Sequence, residues 1–502
     1  MRRKKTKAAA VTAVVLGVIV LTVWFLSGRT GKAVHAKSDL AGAVVGVQLG
    51  TSADVIVTQM EAGGKGTQVE RFTKTADAVQ ALLQGKIDCV VEDELPAREF
   101  ARKNDNLQIL GEVLESQSMA LCVAKKNTTL KARIDSALAV LQANGTLADI
   151  ISRHIDKDEA VAYRPAEGTR RKGTLVVATN ATFPPYEYYE QGRLVGIDID
   201  LMHAVADLLG MDVRLEDMNF DAVITSVQTG KADVGAAGLT ISEERKKNVS
   251  FSTPYTAVRT VIIVRNSEAA ATKGFVEKLH DDFIAGERYV YLFKGLGNTL
   301  LITFFATILS LLLGTVVAII RSTHDTTGRL RWANAFCQVY LAVLRGTPTM
   351  VQLLIIYYVV FASVDVSKVF VAVVAFGINS SAYLAEVVRG GIMAVDRGQT
   401  EAGRSLGLTH WQTMRLVVLP QAFKNVLPAI GNEMITLLKE TSIAGYIGIV
   451  DLTKGSDIIR SITYDAMLPL TTVAVIYFAI VCLMALAVSR LEKKLRKNER
   501  KQ

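Results

Sequence analysis

The sequence predicts an α/β region outside the membrane, followed by an all-α transmembrane region, with a transmembrane anchor in front. Three observations carry this. Long charge-free apolar runs sit at 8–28, 295–320 and 466–489. Residues 37–290 hold no comparable run and alternate strand-like with helix-like segments, the pattern of a parallel sheet. Both ends of the chain are strongly basic beside their apolar runs, as membrane topology asks. The chain has 502 residues, 50% hydrophobic and 21% charged, with a net charge of +9. That length leaves room for three or so units at roughly 100–200 residues each. The bulk composition is close to that of a soluble protein, but its distribution excludes a fully soluble cytosolic one. Four cysteines exclude a disulfide-stapled scaffold. Much of the positive charge lies at the two ends, so it gives no reason to expect a nucleic-acid partner.

The anchor comes first. Residues 2–7 read Arg-Arg-Lys-Lys-Thr-Lys, and 8–27 follow without a charge. About 20 helical residues at 1.5 Å each span the ~30 Å of hydrocarbon. Residues 1–30 therefore read as an uncleaved anchor. The weak Ala-x-Ala-like site at 33–36 leaves a cleaved signal as the alternative. In the α/β region, Leu175–Thr179 is a short buried strand, 197–209 has helical apolar spacing, and 213–215 and 234–237 are further strands. Apolar spans then follow near 297–320, 334–362, 368–388, 426–449 and 466–489. The second is interrupted by Arg345-Gly-Thr-Pro348, where the proline breaks or kinks the helix. With the anchor these make six spans, so both termini share one side. The basic head, the loop RSTHDTTGRLRW and the tail RLEKKLRKNERKQ place that side in the cytoplasm.

Specific phrases within this frame carry a resemblance. GTLVVATNATFPPYEYY, LVGIDIDLMHAVADLLG and MNFDAVITSVQTGKADVGAAGLTISEERKKNVSFSTPY resemble the first lobe of the polar amino-acid binding proteins of ABC importers. DLAGAVVGVQLGTSADV, AVQALLQGKIDCVVED and ALAVLQANGTLADIISRHI resemble the second lobe. The resemblance implies a two-lobed periplasmic-binding-protein-like domain of type II. The order is reversed relative to the family, with the second lobe at 38–156, a polar linker at 157–171, the first lobe at 172–266 and a second linker at 267–291. This reads as a circular permutation, which folds tolerate when the original termini lie close together.

A free amino acid carries a carboxylate, which asks for a bidentate cation, and an ammonium, which asks for an acceptor. By resemblance Arg245, in ISEERKK, takes the carboxylate and Asp93, in CVVEDEL, the ammonium. Thr240 and Gly238, in GAAGLT, and Thr51 and Ser52, in QLGTSAD, add hydroxyl, amide and carbonyl contacts. Phe183 and Phe220 sandwich the side chain, and Asn180, Gln48 and Glu92 face it. Asn180 is neutral where several relatives carry an acid, so the reading leans to a glutamine-like ligand, with basic amino acids or cystine still open. Cys89 and Cys122 sit in apolar strand-like runs, and Cys337 and Cys482 read as small apolar residues of spans.

Residues 292–495 resemble the permeases of type I ABC importers, through KGLGNTLLIT, LRGTPTMVQLL and INSSAYLAEVVRGGI. The most specific stretch is Thr400-Glu-Ala-Gly-Arg-Ser-Leu-Gly407 followed by Val417-Val-Leu-Pro420. The family pattern is Glu-Ala-Ala, three residues, Gly, then Ile-x-Leu-Pro; here Gly403 and Val417 replace Ala and Ile. The resemblance makes Glu401, Ala402, Gly403 and Gly407 a cytoplasmic coupling helix that docks in a groove of an ATPase. No Gly-x4-Gly-Lys-Ser/Thr occurs, and no His/Cys metal spacing, so no cofactor or metal is expected in this chain. ATP belongs to a separate ABC ATPase dimer, and a homodimer of this chain in the lipid of a bacterial inner or plasma membrane is expected. Charges inside lipid are costly and usually face a cavity or each other. Glu386, Lys439 and Glu440 are therefore candidates for the substrate path or for structural pairing, with Asn379 a further path candidate. Two rivals share the binding fold: a ligand-gated channel, for which no Gly-Tyr-Gly-like filter is present, and a cleft enzyme, for which Glu92 alone offers an acid.

Overall fold

The computed structural model describes residues 31–156, 163, 172–266, 274–362, 364, 366–463 and 465–499. The expected anchor lies outside the described residues, as do most of the linker 157–171 and part of the linker 267–291. The chain divides into two compact units, Met1–Ser116 with Val258–Ala270, and Gln117–Ala257 with Ala271–Gln502.

The first unit is built on a five-stranded sheet. Its strands are β1 (Val44–Gln48), β2 (Gln68–Phe72), β3 (Cys89–Asp93), β4 (Leu107–Met119) and β13 (Thr256–Arg265), in the order β2-β1-β3-β13-β4. β1 runs parallel to both β2 and β3, and every residue of β1 and β3 is buried. Unbroken apolar runs of this kind suit a parallel sheet covered on both faces. Val45, Val47, Val57, Val91 and Ile262 form its core. The helices Ser52–Ala62, Thr75–Leu83 and Glu94–Lys103 follow β1, β2 and β3 in turn.

The second unit opens with another five-stranded sheet, in the order β10-β6-β11-β5-β12. The strands are β5 (Cys122–Ala124), β6 (Thr174–Thr179), β10 (Asp212–Asp217), β11 (Val234–Gly235) and β12 (Val249–Phe251). A small antiparallel sheet of β7 (Thr182–Phe183), β8 (Glu187–Glu190) and β9 (Arg193–Val195) lies between β6 and the helix Ile197–Leu209 in sequence. The expected lobe boundaries shift here. Residues 117–156, expected with the second lobe, fold with the first, because β5 pairs antiparallel with β11 and β12. The helix Thr146–Asp156 is fixed to Ile197–Leu209 by a contact of 2.9 Å between His154 Nε2 and Asp200 Oδ2, both buried. Conversely most of β13 leaves the first lobe, because Thr260 pairs with Asp93 on β3.

The rest of the second unit is helical. Tyr289–Thr327 packs along Lys368–Met393, with small residues at the crossing. A Cβ on Gly314 would stand 3.0 Å from the Ser381 carbonyl, and one on Gly377 2.7 Å from Leu309. Glycine lets helix backbones approach where lipid gives no hydrophobic drive for association. Three described helices are long and apolar enough to cross a membrane: Tyr289–Thr327, Lys368–Met393 and Met467–Lys493. A fourth span is reached if Arg331–Gly346 and Thr349–Val360 count as one; they bend by 108° at the expected Thr347-Pro348 break. The expected span 426–449 is instead the helix Leu419–Glu440 and a 3-10 turn, Thr441–Ile447. Lys424, Glu433, Lys439 and Glu440 reduce its apolar character.

Candidate functional site

Each lobe gathers its own candidate residues at the carboxyl ends of its strands, where open α/β sheets place their ligand groups. In the first unit, Thr51 caps the helix Ser52–Ala62 by accepting from the Asp54 amide at 3.3 Å, and its hydroxyl donates to the Gln48 carbonyl at 2.8 Å. Ser52 opens that helix. Gln48, Glu92 and Asp93 are 4%, 3% and 5% exposed. Thr75, a residue the sequence reading did not single out, ties them together. Its hydroxyl lies 3.0 Å from Gln48 Oε1 and also donates to Glu92. Glu92 Oε1 accepts from the Asp93 amide at 2.8 Å, and Thr260 donates to Asp93 Oδ1 at 3.3 Å. Burial pushes the Glu92 carboxyl up to about 7, against hydrogen bonds that hold it down.

In the second unit, Arg245 Nη1 donates to both the carbonyl and the hydroxyl of Thr240, at 2.8 and 2.9 Å. The guanidinium carbon lies 5.4 Å from the centre of the Phe220 ring, a cation–π distance. Gly238 has φ +57°, and a Cβ there would stand 2.6 Å from the Phe183 ring. No other residue fits, so this glycine brings backbone against an aromatic wall. Phe183 stacks on Tyr186 at 5.4 Å. Below the cradle Asp198, fully buried, accepts from the Gly238 amide at 2.9 Å and from the Tyr255 hydroxyl at 2.6 Å. Burial pushes Asp198 up to about 6; burial, with Asp198 and Asp217 nearby, pushes Glu187 well above the usual carboxylate range. Asn180 is committed within its lobe, donating to the Met218 carbonyl at 2.7 Å and accepting from Thr182 at 2.8 Å. Sequence reasoning missed Asp198, Tyr255 and Glu187. The only available signal was the charged pair in GIDID within an apolar helix.

The segment expected to couple to an ATPase forms the helix Arg397–Ser405, capped by Asp396, which accepts from the Gly398 amide at 2.7 Å. Gly407 ends it at φ +84°, and the Leu408 amide donates back to the Gly403 carbonyl at 3.2 Å. Glu401 and Ala402 are exposed. Gly403 is buried, and a Cβ there would stand 2.7 Å from Thr413 Cγ2, which accounts for glycine at this position in this chain. Leu406 is 83% exposed and Trp411 58%.

The transmembrane candidates divide. Glu386 pairs with Arg321 and, at 3.1 Å, with Arg389. It also lines a cavity of about 520 Å3 with Arg321, Arg345 and Tyr383. Asn379 is buried and donates to Gln352 at 2.9 Å, away from that cavity's lining. Lys439 is exposed and Glu440 half-buried. All four cysteines are free; burial pushes the Cys89 and Cys122 thiols up to about 12, so they are inert. No group of three or more His, Cys, Asp or Glu among the described residues is arranged to hold a metal.

A lobe with such a cradle, continuous in one chain with long apolar helices, is the frame of a solute-binding domain joined to a membrane transport domain. Residues 175–472 match the bacterial extracellular solute-binding proteins, family 3, and the chain belongs to that family. Its C-terminal part is homologous to amino-acid ABC transporter permeases. It is 35% identical over 219 residues to the probable amino-acid ABC transporter permease protein YckA of Bacillus subtilis (strain 168), covering 43% of this chain and 95% of that one. It is 36% identical over 211 residues to the arginine transport system permease protein ArtQ of the same organism (42% and 94%). It is 35% identical over 198 residues to the glutamine transport system permease protein GlnP of Escherichia coli (strain K12) (39% and 90%). A solved structure described as an amino acid ABC transporter with histidines is 39% identical, covers 45% of this chain and 100% of that one, and has a TM-score of 0.39. The chain is therefore an amino-acid ABC transporter permease carrying its own binding domain, and it belongs in a membrane.

Proposed function

We propose that this chain is the substrate-binding and membrane-spanning subunit of an ATP-driven importer of polar amino acids. The observation that carries the reading is the cradle of Arg245, Thr240 and Gly238 against Phe183 and Phe220, in one chain with the coupling helix. Arg245 takes the ligand carboxylate and Asp93 its ammonium. Thr51 and Ser52 add hydroxyls, and closure on the ligand shifts the population toward the bound form. Neutral Gln48 and Asn180, with Glu92 held up to about 7, favour an uncharged polar side chain such as glutamine. The binding domain is circularly permuted, a reading supported by the order of the two lobes' phrases along the chain. It lies outside the cell, with six spans and both termini in the cytoplasm. Two copies of the chain form the pathway, and each offers Glu401, Ala402, Gly403 and Gly407 to an ABC ATPase dimer that binds ATP.

The test is calorimetry on the full chain in lipid nanodiscs against the twenty amino acids with cystine and ornithine. Binding of one polar class, lost in Arg245→Ala and in Asp93→Ala, is the expected result. Unchanged affinity in both variants overturns the site.

A further inference from the structure

One carboxylate in the second unit touches both the lobe that carries the candidate cradle and a helix of the permease region. Asp217 ends β10 and is 7% exposed. Its Oδ1 accepts from the Ala181 amide at 3.0 Å. Its Oδ2 lies 3.1 Å from Lys454 Nζ, and the two side chains are 6% and 4% exposed. Ala181 belongs to the loop that carries Asn180 and Phe183. The next residue after Asp217 holds the same loop, since the Met218 carbonyl accepts from Asn180 at 2.7 Å. Lys454 belongs to the helix Leu452–Thr463 of the permease region.

The backbone is shaped for this contact. Gly448 has φ +77°, and a Cβ there would stand 2.0 Å from the Asp217 carbonyl oxygen. Lys368 pairs with Glu216 beside it, and the Gly192 amide donates to the Tyr291 hydroxyl at 2.8 Å. One buried ion pair, a second that is half-buried, a glycine without room for a side chain and a shared hydrogen bond together make a fitted seat. A buried pair that loses one partner leaves an uncompensated charge, so such a seat is not casually broken. A second carboxylate waits next to it. Asp451 is fully buried, its Oδ1 accepts from the Lys454 amide at 2.6 Å, and its Oδ2 has no hydrogen-bond partner. Lys454 thus has an alternative counter-charge at hand, the requirement for an element with two arrangements.

We infer that Asp217 is a coupling residue: it seats the first lobe on the permease through Lys454, and it transmits occupancy of the 180–183 loop to the helix 452–463. This rests on the amino-acid-binding reading above and deepens it. The first lobe is a fixed part of the permease, and the ligand signal passes through one carboxylate with a partner on each side. Asp217 positions the loop; it does not touch the ligand.

The experiment uses the full chain in nanodiscs with two readouts. The first is labelling of Lys454 by an amine-reactive reagent, followed by mass spectrometry. Lys454 is protected in the wild type; in Asp217→Asn it labels about tenfold faster, and the reversed pair Asp217→Lys with Lys454→Asp restores a closed seat, seen as unchanged labelling of Lys368. The second is amino-acid affinity. Lys454→Met shifts the dissociation constant about tenfold, within the usual range of site-to-site coupling. Lys454→Arg and the reversed pair recover most of it, which a merely structural role would not produce. Equal protection of Lys454 in wild type and Asp217→Asn overturns the seat. Wild-type affinity in Lys454→Met overturns the coupling. A wild-type chain that binds no amino acid, while Asp217→Asn still unmasks Lys454, overturns the binding reading and supports the seat.

Discussion

The two sheets carry the same kind of polar residues at their strand ends and use them differently. In the first unit Thr75 ties Gln48 to Glu92, Glu92 accepts from the Asp93 amide, and Thr260 donates to the Asp93 carboxylate. In the second, Arg245 donates to Thr240, Asp198 holds the Gly238 amide and accepts from Tyr255, and Asp217 separately joins the Ala181 amide to Lys454 of the helix 452–463. The first arrangement makes a rigid acceptor set with its own proton balance. The second makes a fixed platform that reports outward. Burial alone does not distinguish them; the direction in which the hydrogen bonds lead does.

The largest expected effect breaks the platform's charge. Arg245→Ala removes a charge-assisted contact costing about 3 kcal/mol, roughly a hundredfold in amino-acid affinity by calorimetry. Arg245→Lys recovers only part, because a point charge does not replace a planar fork. Next is Gly238→Ala. A side chain at φ +57° that also meets Phe183 at 2.6 Å costs about 2 kcal/mol, read as a lower unfolding temperature with weakened binding. Gly403→Ala follows, at about 1 kcal/mol from the approach to Thr413. It lowers co-purification with the ATPase and leaves amino-acid affinity unchanged, and Thr413→Ser partly rescues it.

The smallest effect sharpens the contrast from the other side. Glu92 is raised from 4.5 to about 7 by burial, so its neutral form is the one the fold favours. Its contribution is fully present below the ordinary carboxylate value and is lost as pH rises through about 7. Amide hydrogen exchange in 44–103 should accelerate between about pH 4.5 and pH 7 beyond the intrinsic base dependence, and gain no further excess above that. Glu92→Gln should abolish that excess, with no effect on exchange in 174–217.

The candidate site rests on short motifs that are legible in the sequence. ISEERKK placed Arg245, GAAGLT placed Gly238 and Thr240, and the coupling phrase placed a capped helix ending at Gly407. The lobe boundaries were not legible, because β5 and β13 earn their places through ladder bonds to strands far along the chain, which local periodicity does not encode. Thr75 and Asp198 were missed for a related reason. Each acts on a neighbour's backbone or carboxyl, and its own surroundings in sequence read as an ordinary helix start or helix face. The span expected at 426–449 was misjudged in extent, since four charged residues across 424–440 leave too little continuous apolar length. The small-residue crossings at Gly314 and Gly377 were equally invisible, because a glycine inside a helix shows its purpose only when the opposing helix is present.

The exposed pair Leu406 and Trp411 bears on the life of the chain in the cell. These side chains flank the coupling turn and stand in water until something covers them. A copy made in excess of the proposed ATPase displays an oily landmark at this turn. Chaperones and membrane proteases bind such landmarks, so disposal of the surplus would set the ratio of the chain to the proposed ATPase. Synthesis without the ATPase should give a short-lived chain, and Leu406→Ser with Trp411→Ser a longer-lived one, by pulse-chase.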